Sequence, residues 1–363
     1  MMTCDEIFTL ACQAGASDIH IVVNCAPVFR LNGALLHLDG PELSKLDTGG
    51  KTVDKLDQVD TDRMAREMMN EEQYQKFQKV GELDFSYSLP GVSRFRVNVF
   101  RQRGSVSIAL RPINSNLLTF QQLGLPESLE TLCYKPRGMV LVTGPTGSGK
   151  STTLAAMIDL INRKKRHHII TLEDPIEFLH QHKKCIISQR EVGQDTGSFA
   201  SALRAALRED PDVILVGEMR DTETISIAIT AAETGHLVFG TLHTSSAAQT
   251  IDRIIDVFEP HQQQQIRVQL GNTLQGVVSQ TLIPRIDKPG RIVAVEILMA
   301  NHAIRNLIRE GKTYQIISQL QIGARLGMQS LDTALRNLFQ KKIISREEAL
   351  SRAADPDALA KLL

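Results

Sequence analysis

Three short stretches in the first third of the chain alternate apolar and polar residues. Leu83, Phe85, Tyr87 and Leu89 form the first, Phe95, Val97 and Val99 the second, and Val106, Ile108 and Leu110 the third. Successive side chains of a strand point to opposite faces, so each stretch predicts a β-strand with one face buried. Pro90-Gly91 turns the chain between the first two, and a turn near Arg103-Gly104 makes the last two a hairpin. That hairpin sets Arg96 roughly across from Arg111 on its polar face. On this pattern alone the two arginines read equally well as solvated charges on a sheet. Earlier, Ile19 to Val23 and Pro27 to Leu31 predict two further strands, with Asn32-Gly33 as a hairpin turn. Thr3 and Glu6 form a T-x-x-E capping box before Ile7, Leu10, Ala11 and Ala14, a helix that Gly15 ends. Residues 44–58, with Gly49-Gly50, are polar and predict a surface loop, and a helix follows from about Thr61 to Lys79.

Residues 112–126 carry few periodic apolar positions and two prolines, which marks a domain boundary. Beyond it the pattern changes. Met139 to Thr143, His168 to Leu172, Val213 to Val216 and Leu237 to Leu242 are mainly apolar runs of buried strands, separated by helical stretches. One helix runs from about Thr152 to Asn162 with Leu154, Ile158 and Ile161 on one face, and another carries Phe199, Leu203, Ala206 and Leu207. Late in the chain Asn301 can cap a helix with Ala303, Ile304, Leu307 and Ile308 on one side. Arg305, Asn306 and Arg309 lie towards the other, and Gly311 stops it. Leu331, Leu335, Leu338 and Phe339 give a further amphipathic helix, and Ser345 to Glu348 a second capping box. The reading is a small α+β domain followed by an α/β domain.

At 363 residues two domains are expected. The core must be aliphatic, since tryptophan is absent and aromatic residues are few. Lysine plus arginine and aspartate plus glutamate each total 41, so the formal charge is zero and nothing marks a general nucleic-acid binder. The five cysteines are scattered with no C-x-x-C pair, so neither a zinc site nor a disulfide framework is indicated. The start has no basic region followed by an apolar one, and no run approaches 18 apolar residues, so a cytoplasmic protein is expected.

The chemistry concentrates where apolar runs end. Gly144-Pro145-Thr146-Gly147-Ser148-Gly149-Lys150-Ser151 reads G-x-x-x-x-G-K-S between a strand and a helix, the context that a phosphate-binding loop requires. The glycines let successive backbone N–H groups turn towards one anion, and the helix N-terminus adds partial positive charge. Lys150 can reach the β- and γ-phosphates, and Ser151 can ligate Mg²⁺. The run to Leu172 ends in Glu173-Asp174-Pro175-Ile176-Glu177, acids suited to Mg²⁺ or water positioning. The run from Val213 ends in Glu218, and the run to Leu242 ends in His243. Ligands of open α/β sheets bind at such carboxyl ends.

With these motifs in place, Gly144 to Thr152 (GPTGSGKST), Leu172 to Phe178 (LEDPIEF), Val213 to Asp221 (VILVGEMRD) and Thr234 to Thr244 (TGHLVFGTLHT) resemble the Walker A, Asp box, Walker B and His box of the secretion ATPases. That superfamily drives type II secretion and type IV pili. Ala303 to Ile308 (AIRNLI), Gly15 to His20 (GASDIH), Arg94 to Asn98 (RFRVN) and Gly327 to Leu331 (GMQSL) resemble its pilus retraction branch. The resemblance implies a PAS-like N-terminal domain over 1–112, a linker over 113–120 and a RecA-like ATPase domain over 121–363. It implies ATP and Mg²⁺ held by Gly144 to Thr152, with Ser151 and Glu218 at the metal. Glu218 and Glu177 fall on the superfamily's catalytic acids, His243 on a γ-phosphate sensor, and Arg96 and Arg111 on phosphate-facing arginines. It also implies a homohexamer at the inner membrane, working on a PilC-like platform protein beside, in some cells, a PilU-like paralogue. A PilU-like accessory role or a PilB- or GspE-like assembly role are the alternatives. The loop near Asp47 to Asp57 looks longer than in that branch.

Overall fold

The computed structural model describes residues 2–48, 50–113 and 117–363. Gly49 of the expected surface loop and residues 114–116 of the expected linker lie outside the described residues. The chain divides into two compact units, Met1–Ser115 and Asn116–Leu363.

The described residues of the first unit contain strands β1 (Asp18–Ile21), β2 (Val28–Leu31), β3 (Ala34–His37), β4 (Glu82–Leu89), β5 (Ser93–Gln102) and β6 (Ser105–Pro112). They form one antiparallel sheet in the order β3-β2-β1-β6-β5-β4. Asn32 and Gly33 both have positive φ, 50° and 89°, as a tight two-residue hairpin turn needs. The alternating side chains do what their spacing implies: Phe95, Val97, Val99, Ile108 and Leu110 are buried with Phe8 and Phe77. Helix Cys4–Gln13 opens with the full capping box, Glu6 N–H on Thr3 Oγ1 at 3.4 Å and Thr3 N–H on Glu6 Oε2 at 3.0 Å.

The single helix expected from Thr61 to Lys79 is two, Gln58–Met68 and Glu71–Val80. Asn70 breaks it. Its side chain accepts from Gln73 N–H at 2.8 Å, and its own N–H donates to Gln73 Oε1 at 3.0 Å, so a new capping box starts a second helix. Residues 44–58 hold no strand among the described residues, but the segment is not all surface. Leu56 is buried, its carbonyl accepts from Asn24 N–H and its N–H donates to Cys25 O.

The second unit holds β7 (Gly138–Thr143), β8 (His168–Glu173), β9 (Ile186–Glu191), β10 (Val213–Val216), β11 (Leu237–Leu242), β12 (Leu274–Pro284) and β13 (Arg291–Met299), in the sheet order β13-β12-β7-β11-β10-β8-β9. All its pairings are parallel except β12 with β13. The apolar runs are continuous because both faces are covered. Leu141, Ile170, Ile214 and Val238 face one core, and Val140, Ile169, Leu215 and Phe239 the other. Burying a side chain of this size contributes about 1.5–3 kcal/mol. A third cluster packs Ile283, Ile292 and Ala294 of the β12–β13 hairpin beneath Ala334, Leu335 and Ile344.

Three local expectations change here. Arg305, expected towards the solvated side of its helix, is half-buried. It donates to Ala300 O at 3.1 Å, Gly271 O at 2.8 Å and Asn272 O at 2.6 Å. The latter two are among the last carbonyls of helix Pro260–Thr273, which the helix itself leaves unsatisfied. Ala303, expected on the apolar side of helix His302–Arg309, is exposed. Ser345 caps helix Arg346–Arg352 through Glu348 N–H, but the Glu348 carboxylate turns to Arg352, so only half of that capping box forms.

Candidate active site

The phosphate-binding pattern connects β7 to helix Lys150–Lys164. Gly144 has φ 143°, and a Cβ there would stand 2.3 Å from Gln280 O and 2.6 Å from Ser148 Oγ. Only glycine fits that turn. Ser148 N–H closes back on Pro145 O at 3.2 Å, and the helix begins at once, with Thr153 N–H on Gly149 O. The first-turn N–H groups of Lys150, Ser151 and Thr152 have no carbonyl within the helix to bond. Pro145, Thr146 and Gly147 are exposed at the crest of the loop. Lys150 Nζ donates to Gly144 O at 2.8 Å and Pro145 O at 3.2 Å. Burial lowers the pKa of its ammonium, and the negative charge of Glu218 opposes that shift.

The loop borders a cleft of about 560 Å³ at the carboxyl ends of the parallel strands. The topology brings Lys150, Glu177, Glu218 and His243 together around it. Glu218 follows β10, and its Oε1 lies 2.9 Å from His243 Nε2 and 2.5 Å from Arg220 Nε. Burial pushes the Glu218 carboxyl up, but Arg220 and His243 outweigh it and hold it below the usual range. It is therefore a carboxylate at neutral pH.

The two glutamates at the end of β8 and just beyond it are unlike. Glu173 is turned inward: Thr171 Oγ1 donates to its Oε1 at 2.7 Å, Gln189 Nε2 to the same atom at 3.1 Å, and Glu177 N–H to its Oε2 at 3.4 Å. Burial raises its carboxyl. Glu177 is exposed and lines the cleft. Gln189 on β9 also donates to Phe178 O at 2.9 Å and accepts His180 N–H at 2.8 Å, so it organises the whole acidic loop. Asn162, buried on the loop's own helix, anchors the far end through Gln181 O, Lys183 N–H and Cys185 N–H.

His180 also borders the cleft, and its Nδ1 is buried with no partner among the described residues. Burial pushes its imidazole from 6.5 down to about 4. The unfolded chain then binds this proton more tightly than the folded one, so stability present above pH 6.5 is lost as the pH falls towards 4. A shift of this size corresponds to about 3 kcal/mol. The melting temperature should drop between pH 7 and pH 5, and His180→Gln should flatten that drop. Parallel pH profiles for both proteins would refute this reading of the site.

Arg96 and Arg111 belong to the first unit. The register sets them opposite each other on β5 and β6. Arg96 is exposed, while Arg111 donates to Asp18 Oδ1 through Nε at 2.9 Å and a terminal nitrogen at 2.7 Å. Sequence reasoning passed over Arg220, Gln189 and Gln280. Arg220, two residues after Glu218, was open to a spacing argument. The two glutamines act from distant strands and leave no local signal.

The family described as type II/IV secretion system protein matches residues 1–314. The chain is 50% identical over 356 residues to the type IV pilus retraction ATPase PilT of Pseudomonas aeruginosa, covering 98% of this chain and 99% of that one. It is 38% identical to the type IV pilus ATPase PilU of the same organism, over 97% of this chain and 89% of that one. A crystal structure described as the pilus retraction motor PilT with bound ADP superposes with a TM-score of 0.89 at 48% identity, covering 99% of this chain and all of that one. The fold is thus an N-terminal α+β domain with a RecA-like ATPase domain, and the chain belongs to the type II/IV secretion system protein family, as an ATPase of its pilus retraction branch.

Proposed function

We propose that this chain hydrolyses ATP in the cleft and uses the energy to withdraw type IV pili, as one subunit of a homohexameric ring. The observation that carries the reading is that Lys150, Glu177, Glu218 and His243 line one cleft at the sheet edge, in a chain similar along its length to a retraction ATPase. The higher identity to PilT than to PilU favours the principal retraction motor over an accessory one.

Gly144 to Thr152 would wrap the phosphates, with Lys150 leaving the loop carbonyls for the β- and γ-phosphates. The Ser151 hydroxyl and the Glu218 carboxylate are hard oxygen donors of the kind Mg²⁺ prefers, so the residues fit that ion. When bound, it would neutralise phosphate charge. Glu177 is the acid left to orient or deprotonate the attacking water, since Glu173 is committed to Thr171 and Gln189. His243, tied to Glu218, would report the γ-phosphate to that carboxylate. In the assembled ring Arg96 and Arg111 would supply guanidinium charge to the phosphates. Residues 1–112 would serve as the PAS-like domain and 121–363 as the motor, with 113–120 between them. Closure of domains around a ligand is a known way to turn binding into movement. The work would be delivered to a platform protein in the inner membrane at the pilus base, where the chain would sit peripherally. Among the described residues no helix is long and apolar enough to cross a membrane.

The test is surface piliation and twitching in cells deleted for this gene. Abundant pili without twitching are expected, restored by the intact gene and not by a Lys150→Ala version. Bald cells would mean an assembly motor instead.

A further inference from the structure

Strand β12 outruns its partner. Its register with β7 ends where Ser279 faces Thr143, and the next residues continue beside the phosphate loop. Gln280 is 3% exposed, and its Nε2 donates to Ser148 O at 2.7 Å. A carbonyl can only accept, so the amide nitrogen must face it. Ser148 Oγ and Gln280 Oε1 are both buried without a partner among the described residues, so neither adds to the hold.

The peptide unit is rigid and planar, with its C=O and N–H pointing in opposite directions. The carbonyl of Ser148 and the N–H of Gly149 belong to one such unit. Drawing the carbonyl towards β12 turns that N–H away from β12. A phosphate cradle works only if its N–H groups converge on one anion. We infer that Gln280 is a positioning residue for the phosphate loop: by holding the Ser148 carbonyl it aims the Gly149 N–H at the nucleotide. The inference rests on the proposal that this loop binds ATP. The clamp is anchored in the β12–β13 hairpin. β12 pairs with β13 from Gly276–Met299 to Pro284–Arg291, and Ile283 and Ile292 lie in the core under the C-terminal helices.

Gln280→Met keeps the side chain's length and removes its donor. KM for ATP should rise about fivefold, the worth of one amide hydrogen bond, with kcat within about twofold. The rise in melting temperature on adding ADP should shrink in step. A side chain that only fills space would leave KM and the ADP shift unchanged, whatever it does to the unliganded melting temperature. A wild-type KM in Gln280→Met, or a fall in kcat at constant KM, would overturn the inference. If that variant does not fold, Gln280→Leu decides: its side chain has no donor, and a wild-type KM there overturns the inference equally. An intact chain that binds no ATP would instead remove the nucleotide reading itself.

Discussion

Replacing Glu218 by glutamine should lower ATP turnover about a thousandfold while the protein still binds ATP, because the carboxylate charge that would hold Mg²⁺ against the phosphates is lost, an effect of several kcal/mol. Glutamine keeps the shape and removes the charge that Arg220 and His243 hold in place. Stability should change little, because Arg220 is largely exposed and surface ion pairs contribute on the order of 1 kcal/mol or less. Phosphate release under saturating ATP, set beside an equilibrium binding measurement, reads both quantities. The matching Glu177→Gln variant separates the two acids. If turnover in Glu218→Gln stays within about tenfold of the intact protein while Glu177→Gln is inert, the chemistry rests on Glu177 and Glu218 only shapes the cleft.

Gly144→Ala should abolish nucleotide binding and destabilise the second unit. The backbone there, at φ 143°, is one that L side chains rarely adopt, and the added Cβ would meet the backbone oxygen of Gln280 at 2.3 Å. Strain of this kind costs on the order of 1–3 kcal/mol before the clash is counted. That oxygen is backbone and cannot swing aside as a side chain can, so β12 or the loop itself must move. Gly147 is the control. Its φ is 77°, but a Cβ there meets nothing within 4 Å. Gly147→Ala should therefore lower the unliganded melting temperature less than Gly144→Ala. Equal losses in thermal scans would show that backbone conformation alone, and not the close approach of β12, governs the loop.

Local pattern carried much of this protein. The strict alternations over Leu83 to Leu110 gave strands in register, because a period of two has one face to bury and leaves little freedom to slip. The phosphate loop was legible from its own residues, since each glycine answers a local backbone demand. The acids and the histidine were found because they end apolar runs, and parallel strands bring their carboxyl ends to one edge.

What stayed hidden depended on partners remote in sequence. β9 is an edge strand whose residues Ile186 to Glu191 show little alternation. The break at Asn70 turned on whether its side chain would cap, and polar residues inside helical patterns leave that open. Arg305 looked solvated by helical spacing, yet the end of another helix offered it unsatisfied carbonyls. Both Glu173 and Glu177 border the cleft, but Gln189 on β9 ties up Glu173, and Gln280 on β12 aims the phosphate loop. Residue order alone was enough to say which polar groups the chain carries and which elements bear them. The tertiary structure decided which of those groups are free to react, because hydrogen-bond partners are assigned by packing and not by spacing along the chain.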